Sequence, residues 1–98
     1  MPPPTPELTV GHQLAEHRFE LILEGQVAYL SYTPAGARMV FDHTYVPEPL
    51  RGKGLAAILV RHGLEEARKQ NWRVIPSCSY VASFVRRHPE FADLVDPR

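Results

Sequence analysis

The sequence predicts a single mixed α/β domain, in which an antiparallel meander leads into a strand–helix–strand unit and a C-terminal helix. Three observations support this fold class. Residues 18–46 contain three segments of alternating apolar and polar side chains, separated by turn residues. Residues 54–70 carry apolar side chains at helical spacing, and a short β-branched stretch follows them. A length of 98 residues suits one small domain.

The meander is predicted as three strands, at about residues 18–24, 27–33 and 38–46. Turn residues separate the strands, with glycine or proline in each connection. In the third strand, strict alternation divides the side chains between two faces of the sheet. One face is predicted to carry Met39, Phe41, His43 and Tyr45, and the other Val40, Asp42, Thr44 and Val46.

The central helix is predicted over residues 54–70, with Asn71 as a left-handed cap. A short strand follows at about 74–76. Because a helical crossover connects the two strands, we expect this last strand to lie parallel to the third strand of the meander. Ser79 is the candidate N-cap of a final helix, which Pro89 should end.

The chain carries eleven basic and eleven acidic side chains, so its formal net charge is zero. Without an excess of positive charge, nucleic acid and anionic membranes are disfavoured as obligate partners. The longest apolar run is much shorter than the ~20 residues of a membrane span, and no signal-peptide pattern is visible. We therefore expect a cytoplasmic location, with an organellar matrix as the alternative.

Two further features of the sequence concern covalent or metal cross-links and the domain organisation. The single cysteine excludes an internal disulfide, and no His, Asp or Glu spacing indicates a metal site. Residues 1–8 are rich in proline and have little to bury, so a disordered tail is predicted there, followed by one folded domain over residues 9–98.

The most informative segment runs from Leu50 to Ala56 and joins the third strand to the central helix. The first turn of a helix leaves four amide N–H groups unpaired and carries about half a positive charge. Gly52 and Gly54 allow the backbone to approach an anion without an intervening side chain. This geometry favours a ligand that contains phosphate.

Two familiar phosphate loops do not fit the segment. A Walker loop requires G-x-x-x-x-G-K-[ST], which is absent. A dinucleotide fingerprint requires a third glycine where Ala57 stands, and an acidic residue about twenty positions later, where Asn71, Trp72 and Arg73 stand instead.

The pattern Arg51-x-x-Gly54-x-Ala56 resembles the [RQ]-x-x-G-x-[GA] pyrophosphate loop of the GNAT superfamily of N-acetyltransferases. The resemblance extends over residues 17–95, and it is greatest to the small, stand-alone branch of compact GNAT-like domains. It implies a pair of parallel strands that splay apart, with acetyl-CoA (or CoA) bound at the splay. The implied cofactor-binding residues are Tyr45, Val46, Arg51, Gly52, Lys53, Gly54, Leu55 and Ala56.

Transfer of an acetyl group from a thioester to an amine requires a base, because an alkylammonium with a pKa near ~10.4 is not a nucleophile. His43 is the candidate base, acting directly or through water. If the third and last strands pair in parallel, His43 is expected to lie beside Cys78. Cys78 is the candidate general acid for the leaving thiolate, or alternatively a nucleophile that accepts the acyl group. Tyr80 is a third candidate, as a proton donor or an oxyanion contact. Each of the three also fits an ordinary structural role.

The chain departs from the family pattern on its last helix. Most GNAT enzymes carry Asn-x-x-Ala-x-x-x-Tyr there, and the tyrosine serves as general acid. Here Ser79 and Ala82 occupy the first two positions, and Arg86 stands in place of the tyrosine. Few residues precede the first predicted strand, so the segment that usually walls the acceptor site is short or absent. An open, shallow acceptor site is the implied consequence.

The resemblance therefore implies an N-acetyltransferase that uses acetyl-CoA and an amine acceptor, either a small molecule or a protein. Two alternatives remain at this stage. One is a CoA-binding or adaptor domain without turnover, and the other is a protein-interaction module that presents the proline-rich tail to an aromatic groove. The sequence leaves the acceptor and the oligomeric state open.

Overall fold

The computed structural model describes residues 9–96, and the predicted tail over residues 1–8 lies outside them. A five-stranded sheet with strand order β1-β2-β3-β4-β5 forms one layer. Its strands are β1 (Val10–Gln13), β2 (Arg18–Leu23), β3 (Gln26–Ala35), β4 (Arg38–Tyr45) and β5 (Arg73–Pro76). The helices are α1 (Leu55–Gln70) and α2 (Ser79–Arg87), with 3₁₀ turns at Leu14–Glu16, Glu48–Leu50 and Pro89–Leu94.

The predicted mixed α/β architecture is confirmed. Strands β2, β3 and β4 form the antiparallel meander, and β5 pairs in parallel with β4 after the α1 crossover. Strand β1 was not predicted; it pairs antiparallel with β2 at the edge of the sheet. Its sequence, Val10-Gly11-His12-Gln13, lacks the apolar alternation that identifies a strand.

Strand β4 contains a bulge that changes which side chains share a face. Ser31 pairs with His43 and Tyr32 pairs with Phe41, so Asp42 is left without a partner in the β3–β4 ladder. The Thr33 hydroxyl donates to the Asp42 carboxylate at 2.7 Å across this bulge. Because the side-chain period of a strand is two, one extra residue moves every later side chain to the other face.

The predicted division of the third strand into two faces is therefore wrong beyond Phe41. Phe41 lies on the helix side of the sheet, where its ring approaches Gly63 of α1. Thr44 shares that side because it pairs with the buried Leu30. His43 and Tyr45 lie on the opposite face.

Helices α1 and α2 pack beside each other on one face of the sheet and enclose the core. The core combines large apolar side chains from every layer, among them Phe19, Leu30, Phe41, Leu59 and Phe84. The other face, here called the open face, carries exposed side chains such as Ile22, Val27 and Tyr45. Over the described residues 9–96, the molecule is thus a two-layer structure, with both helices on the same side of the sheet.

The helix ends set the geometry of the two connections. Helix α1 ends at Asn71, whose φ of 61° confirms the predicted left-handed cap, and the Trp72 N–H donates to Ala67 at 2.9 Å. The N-cap of α2 is Cys78, one residue before the predicted Ser79. Pro89 follows the end of α2, as predicted, and opens a 3₁₀ turn. Within residues 9–96, no helix is long and apolar enough to cross a membrane.

Candidate functional site

The connection between β4 and α1 is a loop shaped by two glycines. Gly52 has a φ of 85° and Gly54 a φ of 78°, both in the left-handed region that side chains disfavour. No heavy atom lies within 4 Å of the position that a Cβ would occupy at either residue. Both glycines are therefore required by backbone conformation, and the space beside them is open.

Helix α1 begins without a side-chain cap. Gly54 occupies the N-cap position, and no side-chain hydrogen bond closes the first turn. Leu55 is only 2% exposed, so its side chain anchors the first turn in the core. The amide groups of this turn have no partner within the helix, and they carry the positive end of its dipole.

A cavity of about 250 Å³, here called the loop cavity, lies against this connection. Six of the eight predicted cofactor-binding residues line it: Val46, Arg51, Gly52, Gly54, Leu55 and Ala56. Leu50 and Tyr80 complete the lining, so Tyr80 lies on the wall of this cavity. The Arg51 guanidinium donates to the Val46 carbonyl at 3.0 Å, which holds the two ends of the loop together.

Two predicted cofactor-binding residues do not line the loop cavity. The Lys53 ammonium lies 3.8 Å from the Glu24 carboxylate, on the β2–β3 turn. The Tyr45 side chain lies on the open face, where its ring packs 5.5 Å from that of Tyr29. Only the backbone of Tyr45 is positioned to contact a ligand on the helix side of β4.

Strands β4 and β5 pair over four residues and then separate. The ladder ends where Phe41 faces Pro76, and the Cys78 N–H adds one further bond to the Phe41 carbonyl at 2.8 Å. Beyond this point β4 continues to Tyr45, whereas the chain after Cys78 turns into α2. The backbone of β4 beyond Phe41 thus borders a gap, here called the seam. The seam ends near the loop cavity, since Val46 follows β4 directly.

The seam brings together Thr44 of β4 and Cys78 at the start of α2. The Thr44 hydroxyl lies 3.4 Å from the Cys78 sulfur, and both side chains are half-buried. Sequence reasoning missed Thr44, because strict alternation assigned it to the face away from Phe41. The bulge at Asp42 reverses that assignment. No residue pattern in the strand predicts the bulge.

His43 does not share this position with Cys78. The adjacency expected from strand pairing is wrong because the bulge directs His43 to the open face, where its ring lies 6.2 Å from that of Tyr29. The His43 side chain is exposed there. The structure thus places the Cys78 thiol and the His43 imidazole on opposite sides of the sheet.

A family model described as GCN5-related N-acetyl-transferase matches residues 18–94 of the chain. The chain belongs to this family. The matched residues include the meander, the glycine loop, both helices and the seam. The family model therefore covers both the fold and the candidate site. Membership confirms the predicted resemblance and identifies the chain as an N-acetyltransferase of the GCN5-related type.

Curated relatives and a solved structure agree with this assignment. The chain is 32% identical over 85 residues to Protein NATD1 of Bos taurus, covering 84% of this chain and 75% of the relative. It is 29% identical to Protein NATD1 of Mus musculus over 84% of this chain and 77% of that relative. The solution structure of a GCN5-like protein from Staphylococcus aureus superposes with a TM-score of 0.72 at 25% identity, covering 91% of this chain and 88% of that one.

Proposed function

We propose that this protein transfers an acetyl group from acetyl-CoA to a primary amine, with the loop cavity and the seam as its cofactor site. The observation that carries the proposal is the uncapped first turn of α1, open to a cavity beside two glycines of positive φ. A diphosphate is the ligand that such a turn accommodates best. Acetyl-CoA contains one, and it supplies the acetyl group as a thioester.

The residues present fit this cofactor. The amides of the loop and of the first turn of α1 would hold the diphosphate, and Arg51 adds a positive charge at the rim. The backbone of Thr44 to Val46 borders the seam, where an extended pantetheine arm would pair with strand β4. This arrangement directs the thioester end toward Thr44 and Cys78.

At the seam, Cys78 would protonate the leaving group, and Thr44 would position the Cys78 thiol. Attack of the amine nitrogen on the thioester carbonyl carbon forms the C–N bond, and the C–S bond then breaks. The departing thiolate needs a proton, which the Cys78 thiol supplies and the bound Thr44 hydroxyl helps to position. Direct attack by the amine is favoured over an acyl-enzyme on Cys78, because it needs only one transfer step.

His43 would serve the acceptor side. An ammonium must lose its proton before it attacks, and an exposed imidazole on the open face can accept that proton through water. The helix side of the seam is taken up by the cofactor, so the amine would approach from the open face. The His43 and Tyr45 side chains are exposed on that face, which suits an amine carried on a macromolecule, or a pocket completed by a partner.

A CoA-binding domain without turnover is the second candidate. One observation favours it: Arg86, at the position of the usual tyrosine acid, is exposed on α2 and offers no proton to a leaving thiolate. Under this candidate, CoA binds at the loop cavity and no amine is acetylated. The contact between Thr44 and Cys78 favours the catalytic alternative.

Two experiments test the proposal. Calorimetric titration with CoA and acetyl-CoA should show binding, and absence of heat up to millimolar ligand would refute both cofactor-dependent candidates. An amine-library assay that detects released CoA should then show turnover, reduced about 100-fold or more in His43→Ala and in Cys78→Ala. Full activity in both variants would show that the catalytic assignment is wrong. Mass spectrometry after incubation with acetyl-CoA separates direct attack, which leaves Cys78 unmodified, from an acyl-enzyme.

A further inference from the structure

A second cavity, of about 350 Å³, lies between α1 and α2 on the outside of the helical layer. We call it the helix groove. Helix α1 contributes residues from Ala57 to Glu65 on one wall, and α2 contributes residues from Tyr80 to Arg87 on the other, followed by His88. At 1.5 Å per residue, the α1 wall is about 12 Å long. The volume is at the lower end of the range for small-molecule sites, which suits part of a ligand.

The helix groove and the loop cavity share a wall. Tyr80 lines both, and Ala56 and Ala57, which line one each, are adjacent in the first turn of α1. Tyr80 is 38% exposed, so the wall that the two spaces share lies at the surface of the molecule. A ligand whose diphosphate lies at the loop can therefore continue into the groove.

The chemistry of the groove combines aromatic surfaces with positive charge. The rings of Phe84 and His88 stack with centroids 3.9 Å apart. Arg61 already has partners, since it lies over the Phe84 ring at 5.6 Å and 3.7 Å from the Glu90 carboxylate. Arg87 is exposed, and its guanidinium makes one long hydrogen bond, to the Ser83 hydroxyl at 3.3 Å. Arg87 is thus the cation with most capacity for a new partner.

Glu65 also lines the groove, and it restricts which ligands fit. A ligand that is anionic throughout would meet this carboxylate unfavourably. A purine that carries an exocyclic amino group has donors for the carboxylate and a flat face for the aromatic rings. A phosphate on the same ligand would then pair with a guanidinium.

We infer that the helix groove binds the 3′-phosphoadenosine end of CoA, with Arg87 pairing with the 3′-phosphate. The inference rests on the proposed function and assigns the part of the cofactor that the loop cavity does not hold. It makes Arg87 a specificity-determining residue, because 3′-dephospho-CoA has the same diphosphate and the same pantetheine arm but lacks the group that Arg87 recognises.

The test compares two ligands across three proteins. Titration calorimetry is performed with CoA and with 3′-dephospho-CoA on the wild type, Arg87→Gln and Arg86→Gln. Arg86 is the matched control, since it is equally exposed on α2 but does not line the groove. The wild type should bind CoA about tenfold more tightly than dephospho-CoA, which is the worth of one hydrogen bond between charged groups. Arg87→Gln should lose that tenfold preference, and Arg86→Gln should keep it.

The possible failures are distinguishable. A wild type that binds neither ligand refutes the proposed function, and the groove assignment with it. Binding of CoA with equal affinity for dephospho-CoA, or equal loss in the Arg86 and Arg87 variants, refutes the groove assignment and leaves the proposed function standing. As an independent readout, adenosine 3′,5′-bisphosphate should shift the backbone NMR signals of Arg87 and His88. Shifts confined to the loop cavity would contradict the inference.

Discussion

The Thr44 hydroxyl and the Cys78 sulfur lie 3.4 Å apart across the gap where β4 and β5 separate. Each comes from a different element, and neither is adjacent to the other in the parallel ladder, which ends at Phe41 and Pro76. The contact exists because a bulge turns Thr44 toward the helices and because Cys78 caps α2. It is the pairing of side chains on which the proposed proton transfer depends.

Replacement of Thr44 by valine should reduce kcat/KM for acetyl transfer by about 10- to 100-fold. Valine preserves the shape of the side chain and removes only the hydroxyl that positions the Cys78 thiol, a hydrogen bond worth about 1.5–3 kcal/mol when one partner becomes charged. Steady-state kinetics provide the measurement. Thr9→Val, which removes an exposed hydroxyl just before β1, is the control and should retain wild-type rates.

Gly54→Ala should weaken CoA binding by about tenfold or more, because its methyl group enters the space beside the uncapped turn of α1. Gly36→Ala is the matched control. Gly36 also has a positive φ, of 65°, and open space around it, but it lies in the β3–β4 turn. Both variants should lose about 1–2 kcal/mol of stability, from the left-handed conformation alone. Equal CoA affinities in the two variants would exclude the loop as the binding site.

Gly63→Val should destabilise the fold by about 1–3 kcal/mol through overpacking. A Cβ at Gly63 would lie 3.0 Å from the Leu30 side chain and 3.1 Å from the Phe41 ring, so α1 would have to move away from the sheet. Urea denaturation measures the change. Gly11→Val in β1 makes the same substitution where the nearest atom is 3.4 Å away, on a flexible glutamine, and should cost much less.

The free energy of unfolding should fall as the pH is lowered through the range near 6, and His12 should contribute to that fall. Burial lowers the pKa of His12, and the nearby His62 lowers it further, although Glu66 acts in the opposite direction. The unfolded chain, with a histidine pKa near ~6.5, therefore binds more protons than the folded one over this range. This stability is present above the unfolded pKa and is lost as the pH falls through the folded pKa.

Denaturation of wild type and His12→Gln at pH 7.5 and pH 5 tests this linkage. The glutamine does not titrate and can still meet the Tyr32 hydroxyl, which lies 2.6 Å from the His12 ring nitrogen. The variant should lose less stability between the two pH values than the wild type. Identical losses would show that His12 does not contribute to the pH dependence.

Most of the architecture was predictable from the sequence, because each element carried a local signal of its own. The meander showed period-two alternation, α1 showed helical periodicity, and Asn71 marked the helix end. Strand β1 was missed because pairing with β2 stabilises it, whereas its own residues show no strand pattern. In that pairing, Val10 lies opposite the buried Leu21. Stabilisation that comes from pairing with a neighbouring strand need not leave a pattern in the four residues of the strand itself.

The glycine loop between β4 and α1 was predictable for a similar reason. The backbone conformation of the loop requires its two glycines, so the requirement is visible in a motif of seven residues. The contact between Thr44 and Cys78 was not predictable, because it depends on an extra residue in the β3–β4 ladder. The helix groove was also missed, since His62 lies on α1, His88 follows the end of α2, and the two have no shared sequence pattern.

Asp42 has one more consequence, for the comparison of this chain with related sequences. Deleting it would restore regular pairing with β3 and leave His43 and Thr44 on the sides where they now lie, because their partners Ser31 and Leu30 would not change. If a related strand lacks the bulge, an alignment without a gap after Phe41 would match His43 to a side chain on the helix side and Thr44 to one on the open face. Residue correspondences near this strand should therefore be assigned from superposed coordinates.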